Sequence, residues 1–197
     1  MVDISTEQVK SLRDATGISV MQCKKALEEA GGDAEKARIL LRKRGADAAE
    51  KKAGRTLLSG VIASYIHGNG AVGALVELSC ETDFVAQNEE FRELAHQLAM
   101  QVAASAPQFV RREEITDEAM RAAREAFAKE TEGKPAALQE KILVGKIDAY
   151  FGENILMEQP FIKDTEQSVR SLIEGATQKF SEKIAVTRFA RFSVRGN

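Results

Sequence analysis

Val61-Ile62-Ala63-Ser64-Tyr65-Ile66-His67-Gly68-Asn69-Gly70-Ala71-Val72-Gly73-Ala74-Leu75-Val76-Glu77-Leu78-Ser79-Cys80 is the stretch that decides how this chain folds. Its first half is rich in β-branched and aromatic residues, and Val61, Ala63 and Tyr65 alternate with Ile62 and Ser64. A period of two marks a strand with one buried face. Asn69-Gly70 accepts the positive φ of a type I′ turn, so the stretch is predicted to be an antiparallel hairpin. Gly68-x-Gly70-x-x-Gly73 spells the GxGxxG pattern. That fingerprint needs a helix directly behind it, whose N-terminus holds a pyrophosphate. Ala74-Leu75-Val76-Glu77-Leu78 reads as strand instead, so no dinucleotide and no other cofactor is expected.

Downstream, Asn88 is positioned to cap a long helix in which Phe91, Leu94, Ala95, Leu98 and Val102 form an apolar stripe, with Pro107 beyond its end. Thr116 opens a charged helix with Met120, Ala123 and Phe127 on one side. Gly133-Lys134-Pro135 breaks it, and Leu138, Ile142 and Ile147 mark the next. These two helices, about 116–150, are predicted to pair as an antiparallel helical hairpin. Thr165 is predicted to cap a helix carrying Val169, Leu172, Ile173, Ala176 and Phe180. Ile184 to Val194 alternates as a strand and is expected to return to the sheet begun by the hairpin. The class is α+β, an antiparallel sheet packed with helices.

Upstream, residues 1–45 read as three short helices. Ser5 with Gln8 fits a capping box ahead of Val9, Leu12 and Ala15, and Gly17 supplies the stop. Ser19 with Gln22 repeats the pattern. Met21 or Cys23, then Ala26, Leu27 and Ala30, mark the inner side of the second helix. Asp33 caps the third, with Ala37, Leu40 and Leu41 inward and Gly45 at its close. So small a unit buries little apolar area, which suits a docking module better than a catalytic scaffold. Residues 46–58 read as a linker, with the α+β core occupying 59–197. Between Arg42 and Arg55 six basic residues face two acidic ones. An RNA-contacting strip and a solvated linker both fit; the absence of interleaved aromatic residues favours the linker.

Apolar residues make up 44% of the 197 and charged residues 29%, an ordinary globular composition. A formal charge of −2 provides no global field for nucleic acid, and none is expected as a partner. Cys23 and Cys80 lack CxxC spacing, which argues against a disulfide framework and for a reducing compartment. No apolar run of about 18 residues occurs, so no membrane span is expected. Met1-Val2-Asp3-Ile4 does not begin a secretory leader, and a cytoplasmic location is expected. The two histidines, His67 and His96, have no ligand-spaced partners, and there is neither a GxSxG elbow nor a phosphate loop. Enzymatic chemistry is therefore not expected.

The segment Cys80-Glu81-Thr82-Asp83-Phe84-Val85-Ala86 joins the second strand to the long helix. Two placements of Phe84 are open. The ring can fold back as the first core residue under that helix, or it can stay outside and enter a partner with Asp83 beside it. Burying a phenyl ring is worth roughly 1.5–3 kcal/mol, which is about one to two decades of affinity.

Thr16-Gly17 through Met21-Gln22-Cys23-Lys24-Lys25-Ala26-Leu27 and Gly32-Asp33 resembles the N-terminal module of the elongation factor Ts family. Leu75-Val76-Glu77 with Cys80 to Ala86 is similar to its central motif. Leu98-Ala99-Met100, Val102-Ala103-Ala104-Ser105-x-Pro107 and Gln159-Pro160-Phe161 continue the resemblance over nearly the whole chain. The resemblance implies a nucleotide-exchange factor for GDP-bound elongation factor Tu, not an enzyme. It implies a three-helix module like the ubiquitin-associated domain, docking through Val20, Met21 and Lys24. Asp83 and Phe84, flanked by Thr82 and Val85, match the pair that family members insert near the nucleotide-bound magnesium of the GTPase. Many members carry Gly-Met-Met-Asp where this chain has Ser19-Val20-Met21-Gln22, and Gln101 stands where some have a partner-contacting histidine. The chain shows one hairpin-plus-helix block and so resembles the short form, which implies a homodimer and a 2:2 complex. The charged helices of 116–150 resemble the family's protruding coiled-coil element.

Overall fold

A computed structural model describes residues 4–131 and 135–194. Its centre is the predicted hairpin. Three helices precede it: α1 (Thr6–Thr16), α2 (Val20–Glu29) and α3 (Ala34–Lys52). Strands β1 (Ser59–His67) and β2 (Val72–Cys80) then pair antiparallel from Ser59↔Cys80 to His67↔Val72. The connection is a four-residue loop and not the two-residue Asn-Gly turn. Gly68 and Gly70, not Asn69, take positive φ, at 49° and 82°. Asn69 Oδ1 instead accepts the N–H of Ala71. No helix follows Gly73, so the glycine pattern belongs to a hairpin.

After β2 come a single turn, α4 (Asp83–Ala86), and the long α5 (Glu89–Ser105), capped by Asn88 as expected. Next are α6 (Asp117–Ala128) and α7 (Ala136–Asn154), which pack against each other. Ion pairs Arg124–Glu140 and Lys146–Glu130 link them, and Phe127 meets Tyr150 edge-on. The expected break at Gly133 and Lys134 lies outside the described residues. The buried stripe of α7 is Leu143, Ile147 and Phe151, whereas Leu138 is exposed. Ile147 is buried as expected, Ile142 is half-buried, and Leu138 was misassigned because this helix is apolar on several sides and its period is weak.

Strands β3 (Pro160–Phe161) and β4 (Asp164–Ser168) form a small separate ribbon. Thr165 is therefore part of a strand and not a cap. Ser168 caps α8 (Val169–Phe180), accepting the N–H of Ser171. The last strand, β5 (Ala185–Ser193), returns beside β2 antiparallel, in the sheet order β1-β2-β5. The α+β class follows directly from this arrangement.

Helix α5 lies across the inner face of β1 and β2, and the main core gathers around Val76, Leu78, Phe91, Leu98, Phe151, Leu156 and Val169. A second cluster holds the first three helices together through Val9, Leu12, Cys23, Ala26, Leu27, Ala37 and Leu41. Met21 and Ala15 stay outside it, so of the two candidates on α2 the inner residue is Cys23. The capping box at Ser5 is present in both directions.

Gly45 does not end α3, and the expected linker begins seven residues too early. The helix continues to Lys52 because it is supported along α8. A Cβ at Gly45 would lie 3.3 Å from the Glu174 carbonyl. The glycine is therefore a crossing point between two helices, where the missing side chain lets their backbones approach. Gly60 makes a closer approach still: a Cβ there would stand 2.5 Å from the Leu78 carbonyl oxygen. Gly60→Ala is expected to cost about 1–3 kcal/mol through forced backbone displacement, read as a lower urea midpoint with an unchanged m-value.

Candidate functional site

The site is built at the corner between β2 and α5. Cys80 ends β2, and its thiol donates to the Thr82 carbonyl at 3.2 Å. Thr82 caps α4, its hydroxyl accepting the N–H of Val85 at 3.5 Å. A helical turn advances about 100° per residue, so consecutive side chains of α4 cannot all face the core. Val85 and Ala86 take the inner positions. Phe84 is left outside with 85% of its surface exposed. Of the two placements open from spacing, the core position under α5 is therefore filled by other residues.

The corner is held on two sides. Ser59 Oγ donates to Asp83 Oδ1 at 2.5 Å, tying α4 to the start of β1. Glu182, just beyond α8, accepts the N–H groups of Glu81 and Thr82, each at 3.1 Å, and the Thr82 hydroxyl at 2.6 Å. Glu81 in turn accepts the Lys183 N–H at 2.5 Å and meets Arg55 Nη1 at 3.2 Å. The Lys183 amide and then the Arg55 guanidinium hold the Glu81 carboxyl below the usual carboxylate range.

The second group of expected site residues lies on α2. Cys23, Ala26 and Leu27 face the module core, and Val20, Met21 and Lys24 are left on the exposed part of the helix surface, Val20 and Lys24 one turn apart. Val20 is 50% exposed and Met21 74%. Lys24 pairs loosely with Glu28 at 3.8 Å. The end of α8 and the residues just after it bond to both elements: Gln178 donates to Gln22 Oε1 of α2 at 2.6 Å, and Glu182 grips Thr82, the cap of α4. The exposed residues of α2 and α4 are thus brought to either side of one helix end.

Sequence reasoning missed Gln178, Glu182, Lys183 and Arg55. They lie about a hundred residues or more from what they brace, or belong to the expected linker, and no local pattern marks them. Gln101 is buried, where its amide donates to Gln159 Oε1 and Pro160 O and accepts the Ile162 N–H. It closes the core beneath the β3–β4 ribbon. The basic stretch is no continuous strip: Arg44 pairs with Glu29, Arg42 reaches the Glu166 carbonyl and Arg55 binds Glu81.

Burial pushes both thiols up from the ordinary cysteine range. His67 meets the Tyr65 hydroxyl, and His96 lies against the Ser64 carbonyl. Among the described residues no group of three or more His, Cys, Asp or Glu could hold a metal ion, and no helix is long and apolar enough to cross a membrane.

The family model described as elongation factor TS matches residues 50–196. Elongation factor Ts of Thermosipho melanesiensis is 50% identical over 193 residues, covering 97% of this chain and 98% of the relative. That of Desulforamulus reducens is 49% identical over 196 residues, with 98% and 90% covered. That of Moorella thermoacetica is 48% identical over 193 residues, with 97% and 95% covered. Similarity at this level spans both the α2 face and the corner that carries Phe84, and on it the chain belongs to the elongation factor Ts family.

Proposed function

We propose that this chain is a guanine-nucleotide exchange factor of translation elongation, which binds GDP-bound elongation factor Tu and speeds GDP release by disturbing its magnesium and phosphate site. The observation that carries this reading is the exposed phenyl ring of Phe84 on a corner braced by Ser59 and Glu182. The first three helices serve as a docking module like the ubiquitin-associated domain, with Val20, Met21 and Lys24 in contact. Thr82, Asp83, Phe84 and Val85 form the element that acts on the magnesium site, Thr82 and Val85 by holding the turn in shape.

GDP is held by its phosphates, and magnesium bridges them to the GTPase. A factor that binds better when this bridge is broken weakens nucleotide binding by the same factor, as linkage requires. A factor indifferent to the two states shifts nothing. Docking through α2 supplies affinity, and the ring converts it into distortion. No chemical bond changes in this cycle, so the chain is not an enzyme in that sense, and it needs no cofactor of its own. The site of action is the cytoplasm, where translation elongation takes place. The test is GDP release from elongation factor Tu loaded with a fluorescent GDP. Release rising with factor concentration supports the reading; release at the spontaneous rate under saturating factor contradicts it.

A homodimer, and hence a 2:2 complex, is part of the proposal, with the second copy on the outer face of the sheet. Ile62, Ile66, Leu75 and Phe192 are exposed there, and Ile66 lies over Gly73. An antiparallel sheet with one solvated face normally alternates apolar with polar residues. This face is apolar apart from Ser64, the Glu77–Arg188 pair at 2.6 Å and Ser79 with its hydrogen-bonded partner Thr187. A two-fold axis would set it against itself at the usual spacing of stacked sheets. Phe192→Asp acts twice in such an interface and is expected to weaken the dimer by about a hundredfold or more. Sedimentation against concentration measures this, and a variant that stays dimeric like the parent rules out the face.

A further inference from the structure

The exposed ring of Phe84 stands on a helix of only four residues, which cannot hold its own shape. Besides the Ser59–Asp83 bond, its support comes from Glu182. One carboxylate oxygen accepts the two N–H groups immediately ahead of α4, and the other accepts the hydroxyl of its capping residue. The grip is reciprocal, because Glu81 accepts the Lys183 N–H. Ser181 is left-handed at φ 57°, one of two such non-glycine residues among those described. It turns the chain off the end of α8 and starts the segment from which Glu182 reaches the corner. Lys183 anchors that segment from the other side, donating to the carbonyls of Ala53 and Arg55 at 2.6 and 2.8 Å. One turn earlier, Gln178 holds Gln22 between the α2 residues Met21 and Cys23.

We propose that Glu182 is a positioning residue for Phe84, its carboxylate clasping the backbone ahead of the ring so that α4 and the α2 face meet the GTPase as one rigid surface. This rests on the reading of Phe84 as the side chain that acts on the partner. A group that must distort a neighbouring site is effective only when its place is fixed beforehand, and displacement by about 1 Å can cost a hundredfold. The clasp is a matter of reach and hydrogen-bond pattern. Glu182→Gln preserves it after an amide flip, its oxygen accepting both N–H groups and its nitrogen donating to the Thr82 hydroxyl. Glu182→Asp keeps the charge but is one methylene too short. Glu182→Ala removes the grip.

The experiment compares these three full-length variants by hydrogen exchange at the amides of Glu81 and Thr82 in the free protein, and by GDP release from elongation factor Tu. In the parent and in Glu182→Gln both amides are expected to be protected. In Glu182→Ala and Glu182→Asp they exchange at least about tenfold faster. In the same two variants release at saturation is expected to fall about tenfold or more. The half-saturating concentration, set by the intact α2 face, stays within about twofold. Phe84→Ala loses release but keeps both amides protected. Should Glu182→Ala fail to fold, the Asp and Gln variants carry the comparison. Undiminished release from a variant with deprotected amides overturns the proposal, as does unchanged protection in Glu182→Ala. Rescue by Asp but not by Gln also overturns it, because the role would then be charge. A parent protein that leaves GDP release unaccelerated condemns the exchange reading, whereas the amides still judge the clasp.

Discussion

Phe84→Ala is expected to reduce stimulated GDP release by about ten- to a hundredfold and to leave thermal unfolding where it was. The two halves of this expectation have one cause. With 85% of its surface in water, the ring fills no space in its own protein, so truncating it opens no cavity. Val85 and Ala86 beneath it keep their places, and Thr82 keeps its cap. What disappears is the apolar area the ring would bury in the GTPase. On the proposed mechanism that burial is coupled to disruption of the magnesium bridge, so the loss is expected on the release rate at saturation more than on the concentration needed to reach it. Stopped-flow release of fluorescent GDP, with calorimetry on the free protein, reads both halves.

The same substitution seven residues later should do the reverse. Phe91 is fully buried at the start of α5, edge-on to Phe180 of α8 at 6.0 Å and 85°. Phe91→Ala removes the side chain on which α5 and α8 meet. It is expected to cost about 3–5 kcal/mol of stability, which at 2–4 °C per kcal/mol lowers Tm by roughly 6–20 °C. Whatever fraction stays folded at lower temperature keeps Phe84 on the surface and should release GDP at the parent rate per folded molecule. Scanning calorimetry and an activity-per-folded-molecule measurement separate the two phenylalanines. A Phe91→Ala protein that melts with the parent contradicts the core assigned to α5 and α8.

Much of this fold was legible because its elements are strongly periodic. The alternation from Val61 to Cys80 and the apolar stripe of α5 gave the hairpin and its covering helix. The errors arose where tertiary contact outweighed local preference. Gly45 is a local stop signal, yet α8 needs a glycine at the crossing and so carries α3 onward to Lys52. Thr165 and Ser168 are equally good caps, and pairing of Pro160-Phe161 with Asp164–Ser168 selects the second. Asn69-Gly70 suits a two-residue turn, but pairing of His67 with Val72 leaves four residues to close.

The candidate site was legible in its residue types and not in its support. Spacing could not decide whether Phe84 or its neighbours fill the space under α5. That depended on how far α4 rotates, which Ser59, Thr82 and Glu182 set together. Glu182 has no local signature at all: its partners lie a hundred residues away, and the left-handed Ser181 before it is a conformation that sequence does not announce. The α2 face was read from resemblance alone, since spacing left Met21 open as an inner residue, and its link to the corner through Gln178 came only with the folded chain.

The most direct measurement replaces Phe84 with 4-fluorophenylalanine and follows its fluorine resonance with a soluble paramagnetic agent. In the free protein the ring should be strongly relaxed, as an exposed side chain must be. On adding nucleotide-free elongation factor Tu, the resonance should shift and lose most of that relaxation, because the ring has entered the GTPase. A ring that stays equally accessible in a complex shown to have formed would contradict the account.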